Sequence, residues 1–171
     1  MAQMKSEMIP FITKEEIEDL VESLAQQIER DYAGRKLVMI CPLKGSFLFV
    51  ADLMRKINLD QELDFVHLTS PKNEGVRILK DISIDITGKD VLILEEIVDA
   101  GRTLSFLVKR LLANDPETLK VVSLFDKPAR RELPIKPDYI GKTIDDRYVI
   151  GYGMDSEEYG RNYEGLFTFS Q

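Results

Sequence analysis

Four apolar residues in unbroken succession, Val91-Leu92-Ile93-Leu94, followed at once by the acidic pair Glu95-Glu96, constrain this chain more than any other feature. A strand with one wet face alternates apolar and polar residues. A run without alternation marks a strand covered on both faces, as in a parallel sheet flanked by helices. The two carboxylates fall where such a strand emerges from the core. After Ile97-Val98 comes the short loop Asp99-Ala100-Gly101-Arg102-Thr103. Leu104, Leu107, Val108, Leu111 and Leu112 then follow the i, i+3, i+4, i+7, i+8 spacing of an amphipathic helix. The loop thus links a strand's carboxyl end to a helix's amino end, where backbone N–H groups lack intrahelical partners and attract anions. A phosphate can be held there by backbone while Glu95 and Glu96 take hydroxyls or a metal, an arrangement better suited to a phosphorylated sugar than to bare phosphate. On periodicity alone, an ordinary strand–turn–helix with acidic solubilising residues stays open.

Other segments carry similar signals. Leu37 to Cys41 is a second apolar strand, followed by Pro42-Leu43-Lys44-Gly45-Ser46 and a helix predicted to begin near Phe47. Gly45 tolerates backbone angles that other residues avoid, whereas Lys44 read alone is also an ordinary surface lysine. Near the C-terminus lie Ile135-Lys136-Pro137-Asp138-Tyr139 and Asp146-Arg147-Tyr148-Val149-Ile150-Gly151-Tyr152-Gly153-Met154-Asp155, with Arg161 beyond. Met alone, these would read as a Lys-Pro turn, a strand aromatic and a capping aspartate.

Taken together, the four blocks, in order over roughly residues 13 to 162, resemble the type I phosphoribosyltransferases, and most of all their hypoxanthine-guanine branch. The resemblance implies a loop at Asp99, Ala100, Gly101, Arg102 and Thr103 that binds the 5′-phosphate of 5-phosphoribosyl-1-pyrophosphate. It implies that Glu95 and Glu96 hold the ribose hydroxyls, directly or through metal and water. Lys44, Gly45 and Arg161 would serve the pyrophosphate, through an unusual backbone geometry at the Leu-Lys-Gly turn. Lys136, Tyr148, Val149 and Asp155 would form the purine pocket: a lysine for the exocyclic oxygen, a stacked ring and backbone groups for the base edge. Magnesium would be bound at Glu95, Glu96 and Asp155. Asp99 is implied as the general base that takes a proton from the purine imidazole ring; it also reads as a helix N-cap, which aspartate favours. The implied reaction converts the donor and a 6-oxopurine base into a nucleoside 5′-monophosphate and pyrophosphate, in a homodimer or homotetramer.

The chain departs from that family pattern in places. Glu95-Glu96 stands where Glu-Asp is usual, and Ala100 stands where a threonine would add a hydroxyl donor, leaving the amides of residues 100 to 103. Ser70-Pro71 replaces a Ser-Tyr pair in a short loop, Gly160 replaces an aromatic residue, and Tyr163-Glu164-Gly165 replaces a Leu-Pro turn. These differences sustain an alternative, a regulator that binds nucleotide or RNA on the same fold without catalysis.

Composition narrows the partners. With 23 basic and 30 acidic residues the net charge is −7, which argues against a broad nucleic-acid or anionic-membrane surface. At 171 residues, without repeat or linker, residues 1–171 read as a single domain. The lone cysteine, Cys41, excludes an internal disulfide and suits a reducing cytoplasm. Neither Cys41 nor the only histidine, His67, has the neighbours of a nucleophile or zinc site. No apolar run approaches a membrane span, and Met1 to Phe11 lacks a signal peptide's apolar core.

The remaining pattern is α/β. Thr13-Lys14-Glu15-Glu16 is a capping box opening a helix with Ile17, Leu20, Val21, Leu24 and Ile28 on one face. Strands are predicted at Asp64 to Thr69, Val76 to Ile84, Leu119 to Phe125 and Glu164 to Phe169, with Ser70 to Gly75 as a mobile loop. Their alternation with helices implies a mostly parallel sheet flanked by helices, its site at the strands' carboxyl ends. The resemblance adds a small hood built from the N- and C-terminal segments. Gly141-Lys142-Thr143 lacks the earlier glycine of a Walker loop, and Gly151-Tyr152-Gly153 lacks the third glycine of a dinucleotide fingerprint.

Overall fold

A computed structural model describes residues 7–70 and 75–170. In chain order the elements are β1 (Met8–Ile12), α1 (Lys14–Asp31), β2 (Leu37–Leu43), α2 (Phe47–Lys56), β3 (Gln61–Thr69), β4 (Arg77–Lys80) and β5 (Asp90–Val98). They continue with α3 (Arg102–Leu112), β6 (Thr118–Asp126), a 3₁₀ turn at Pro128–Arg130, β7 (Tyr139–Thr143), β8 (Val149–Ile150) and β9 (Leu166–Phe169). The main sheet has the order β4-β3-β2-β5-β6-β7, with only the β3–β4 pair antiparallel. The smaller sheet, β1-β9-β8, is antiparallel and forms the hood.

Two cores explain the unbroken apolar runs. Leu37, Met39 and Cys41 of β2 and Leu92 and Leu94 of β5 face α1 and α2, with Leu24, Ile28, Phe49 and Leu53. Val38, Ile40, Val91 and Ile93 face the other way, against Leu104, Leu107 and Leu111 of α3. Each strand is therefore covered on both sides, and neither face can carry polar residues. The start of α1 follows its capping box: Thr13 accepts from the Glu16 amide, and Glu16 accepts from the Thr13 amide. Helix α2 begins at Phe47, as its pattern predicts.

The strand expected at Val76 to Ile84 is shorter. Beyond Lys80 the chain leaves the sheet, because the Ser83 and Ile84 amides donate to the Asp64 carboxylate in place of a ladder partner. The expected terminal strand begins later, at Leu166. Residues 71–74 of the expected loop lie outside the described residues. Gly141-Lys142-Thr143 is part of strand β7 and forms no loop. No helix among the described residues is long and apolar enough to cross a membrane.

Candidate active site

Two adjoining cavities open at the carboxyl ends of the parallel strands, of about 360 Å³ and 610 Å³. Both are lined by Lys44, Gly45, Glu96, Ile97 and Asp99. The first continues along Ala100, Gly101, Arg102 and Thr103. The second runs to Tyr148, Val149, Asp155 and Arg161. The loop and the C-terminal aromatic segment, far apart in sequence, thus face one cleft, with Asp99 at their junction.

The loop is shaped by Gly101, the N-cap of α3, whose φ of 81° lies in the left-handed region. A side chain there would be strained and would meet Ile135 Cγ2 at 2.6 Å. Asp99 is therefore not the helix cap; its side chain is directed to Arg130, with Oδ1 2.9 Å from Nε but not aligned for a hydrogen bond. None of the amides from Asp99 to Thr103 donates to another described residue. Together with the start of α3 they form an anion cradle of the kind expected at a helix amino end.

Glu95 and Glu96 follow the buried run Asp90 to Leu94 of β5 and are half-buried, and neither forms a salt bridge among the described residues. Burial raises the Glu95 carboxyl well above the usual range, and the neighbouring Glu96 adds to it. Burial likewise pushes Glu96 up to about 7, with Asp155 contributing and Arg161 opposing. Such a pair is short of cations. Among the described residues no three acidic, histidine or cysteine side chains gather as a metal cage. One or two carboxylates completed by ligand oxygens and water is how magnesium is commonly held, so the donor set fits that ion.

The turn after β2 places Gly45 against Glu96: a Cβ there would lie 1.9 Å from Glu96 Oε1. The Leu43–Lys44 peptide is cis, the unusual geometry that the resemblance implies. Lys44 Nζ lies 2.9 Å from Glu158 Oε2, and Arg161 bridges Asp155 at 2.8 Å and Glu158 at 3.2 Å. Asp155 also accepts from the Glu158 amide, so both its oxygens are engaged. Tyr148 is 58% exposed; its ring lies 5.9 Å from that of Phe169 and its hydroxyl donates to the Asp155 carbonyl.

One sequence expectation is corrected. Lys136 is exposed, outside both cavities, because it belongs to the turn entering β7. The lysine at the Tyr148 end of the cleft is Lys127, 5% exposed and first after β6, lining the cavity with Tyr148 and Val149. It donates to the Arg147 carbonyl. Burial lowers its pKa, against the opposing pull of Asp99 and Asp146. Its signal was its position directly after a buried parallel strand, where ligand-contacting residues of open α/β sheets lie. Cys41 is buried and its thiol is pushed up by burial to about 11, which disfavours a nucleophile.

This fold and cleft define a class of enzymes that combine a phosphorylated sugar with a flat base. Residues 12–157 match the phosphoribosyl transferase domain family, and the chain belongs to it. It is 38% identical to the hypoxanthine-guanine phosphoribosyltransferase of Staphylococcus aureus, with 92% of this chain and 91% of that protein covered. It is 39% identical to the hypoxanthine phosphoribosyltransferase of Escherichia coli K12, with 95% and 94% covered. A solved hypoxanthine-guanine phosphoribosyltransferase from Bacillus anthracis superposes with a TM-score of 0.93 at 39% identity, covering 97% of this chain and all of that one.

Proposed function

We propose that the chain transfers the 5-phosphoribosyl group from phosphoribosyl pyrophosphate to hypoxanthine or guanine, in purine salvage, giving the nucleoside 5′-monophosphate and pyrophosphate. The observation that carries this reading is the single cleft holding Lys127 and Tyr148 at one end and the Asp99–Thr103 cradle at the other. Departure of pyrophosphate leaves positive charge on the ribose, so the site must orient the incoming nitrogen and receive the leaving group. Lys44 and Arg161 meet the pyrophosphate, the loop amides hold the 5′-phosphate, and Asp99 takes the purine ring proton. Magnesium, held by Glu95 and Glu96 with Asp155 as a second place, would neutralise phosphate charge when bound. Asp99 and Lys127 in the same cleft, and a net charge of −7, weigh against an RNA-binding regulator. The same reading carries a homodimer or homotetramer working in the cytoplasm, checked by sedimentation and by cell fractionation.

Adenine is the discriminating substrate. An ammonium has three donors and no acceptor, so Lys127 meets a 6-oxo group but opposes a 6-amino group. A polar mismatch in a closed site gives discrimination on the order of 10⁴. With magnesium and donor, hypoxanthine or guanine should be used efficiently, and adenine at about a thousandth of that rate or less. Lys127→Ala should lose most 6-oxopurine activity and narrow the gap, while Lys136→Ala stays near normal. No turnover with any base would overturn the enzymatic reading.

A further inference from the structure

Three successive backbone carbonyls at the start of the loop, those of Val98, Asp99 and Ala100, point one way. Val98 O accepts from the Lys127 amide at 3.0 Å and Ala100 O from the Glu132 amide at 3.0 Å. Between them, Asp99 O accepts from Arg131 Nη1. In a trans peptide the C=O of one residue and the N–H of the next point in opposite directions. Three carbonyls turned onto the 127–132 segment therefore turn the amides of Asp99, Ala100 and Gly101 away from it. Two of these three anchors are backbone amides that any residue supplies; the middle one is a side chain.

That side chain is itself held. Arg131 Nη2 donates to Asp126, the last residue of β6, and the two side chains are 13% and 6% exposed. The arginine stem packs under the place where a Gly101 side chain would stand, 3.2 Å from that Cβ position. A planar guanidinium can reach a carboxylate and a carbonyl at once in fixed geometry, which an ammonium cannot reproduce. Ala100 offers no hydroxyl, so the peptide between Asp99 and Ala100 is what this position presents to a phosphate.

We propose that Arg131, locked by Asp126, is a positioning residue: it sets the Asp99–Ala100 peptide so that the Ala100 amide receives the 5′-phosphate. The inference rests on the reading of this loop as the phosphate cradle. Arg131 lines neither of the two cavities, so it acts through the peptide it holds, and its effect is confined to ligands that carry the phosphate.

The test compares Arg131→Lys and Asp126→Asn with the unaltered protein in steady-state kinetics, and in calorimetric binding of inosine 5′-monophosphate, with thermal melting as a control. Both variants should raise the donor's KM about 10-fold or more and weaken the monophosphate by a similar factor, the scale of a small misplacement of a binding group. The KM for hypoxanthine and kcat should change far less. Unchanged donor KM in folded variants would overturn the inference. So would a uniform loss of kcat and both KM values with a lowered melting temperature, which is a structural role only. Should one variant fail to fold, the other carries the test. If the unaltered protein neither binds the monophosphate nor turns over, the cradle reading itself fails, which is a separate result.

Discussion

Asp64, on β3, and Glu95 and Glu96, on β5, are acidic side chains carried by strands of one sheet, and their surroundings differ in kind. Asp64 is buried, which alone would raise its pKa. Amides of Ser83, Ile84 and Phe65 and the Lys80 ammonium at 3.0 Å more than offset this, and its carboxyl falls to about 2. Its charge is satisfied entirely from within and ties the chain after β4 to the sheet. Glu95 and Glu96 have no such salt bridge among the described residues, and burial drives them the other way. A buried charge with its partners built in is architecture. A half-buried pair without them is a site whose partners arrive with the ligand.

The sharpest way to probe that contrast is Asp99, whose Oδ1 lies beside Arg130 without a hydrogen bond and which lines the cleft. Its substitution by asparagine should lower turnover by about 10²–10⁴-fold, the usual worth of a positioned base. Donor affinity should hold, because Gly101 starts the helix and Arg131 grips the Asp99 carbonyl, leaving the side chain no part in shaping the loop. Near-normal turnover in single-turnover kinetics would move Asp99 to the structural side of the comparison.

Ligand linkage asks the same question of the unpaired acids. Magnesium with donor at 100 times its Kd should stabilise the protein by about 2.7 kcal/mol, visible as a thermal shift that chelator abolishes. Asp64, already satisfied, has nothing to gain from metal, so its substitution should leave the shift intact. An equal shift from donor without divalent cation would contradict the roles given to Glu95 and Glu96.

What could be read from sequence follows the same division between local and distant causes. The β5–loop–α3 unit is legible because its cause is local periodicity, and the Thr13 capping box because its partners are three residues apart. Lys136 and Lys127 both precede a proline. Nothing local separates them except that Lys127 follows a buried strand, and only the sheet shows what that means. Arg131 was illegible: its acceptor at Asp99 is 32 residues away and is a carbonyl, which residue names do not reveal. The shortened β4 has the same origin, since two amides expected in a ladder turn to Asp64, 19 and 20 residues earlier.

Asp64→Asn sharpens the architectural half. The folded pKa of Asp64 is depressed, so its contribution is present above the unfolded value near 3.8 and is lost as pH falls toward about 2. At pH 7 the variant should be less stable by about 2 kcal/mol, with kcat/KM close to normal in the fraction that is folded. Chemical denaturation at several pH values should show the gap between the two proteins narrowing below about pH 4 and vanishing only below about pH 2. A gap independent of pH would mean that lost packing, and not the charge, sets the cost.

The smallest effect is expected where the two halves meet, at Glu158. Its carboxylate lies 2.9 Å from Lys44 and 3.2 Å from Arg161, the two cations assigned to pyrophosphate, at the tip of a tight turn where its φ is 71°. The chain thus supplies an anion of its own to cations that a ligand must use. Glu158 is exposed, and its pKa is lowered by its hydrogen bonds to Lys44 and Arg161, so it is fully ionised at neutral pH. Exposed pairs are weak, and replacing Glu158 by glutamine should tighten pyrophosphate binding only about two- to five-fold. The gain should fade at high salt, where the competing pair in the unaltered protein is already screened. Weaker pyrophosphate binding in the variant would reverse the assignment and make Glu158 a residue that supports Lys44 and Arg161 in place.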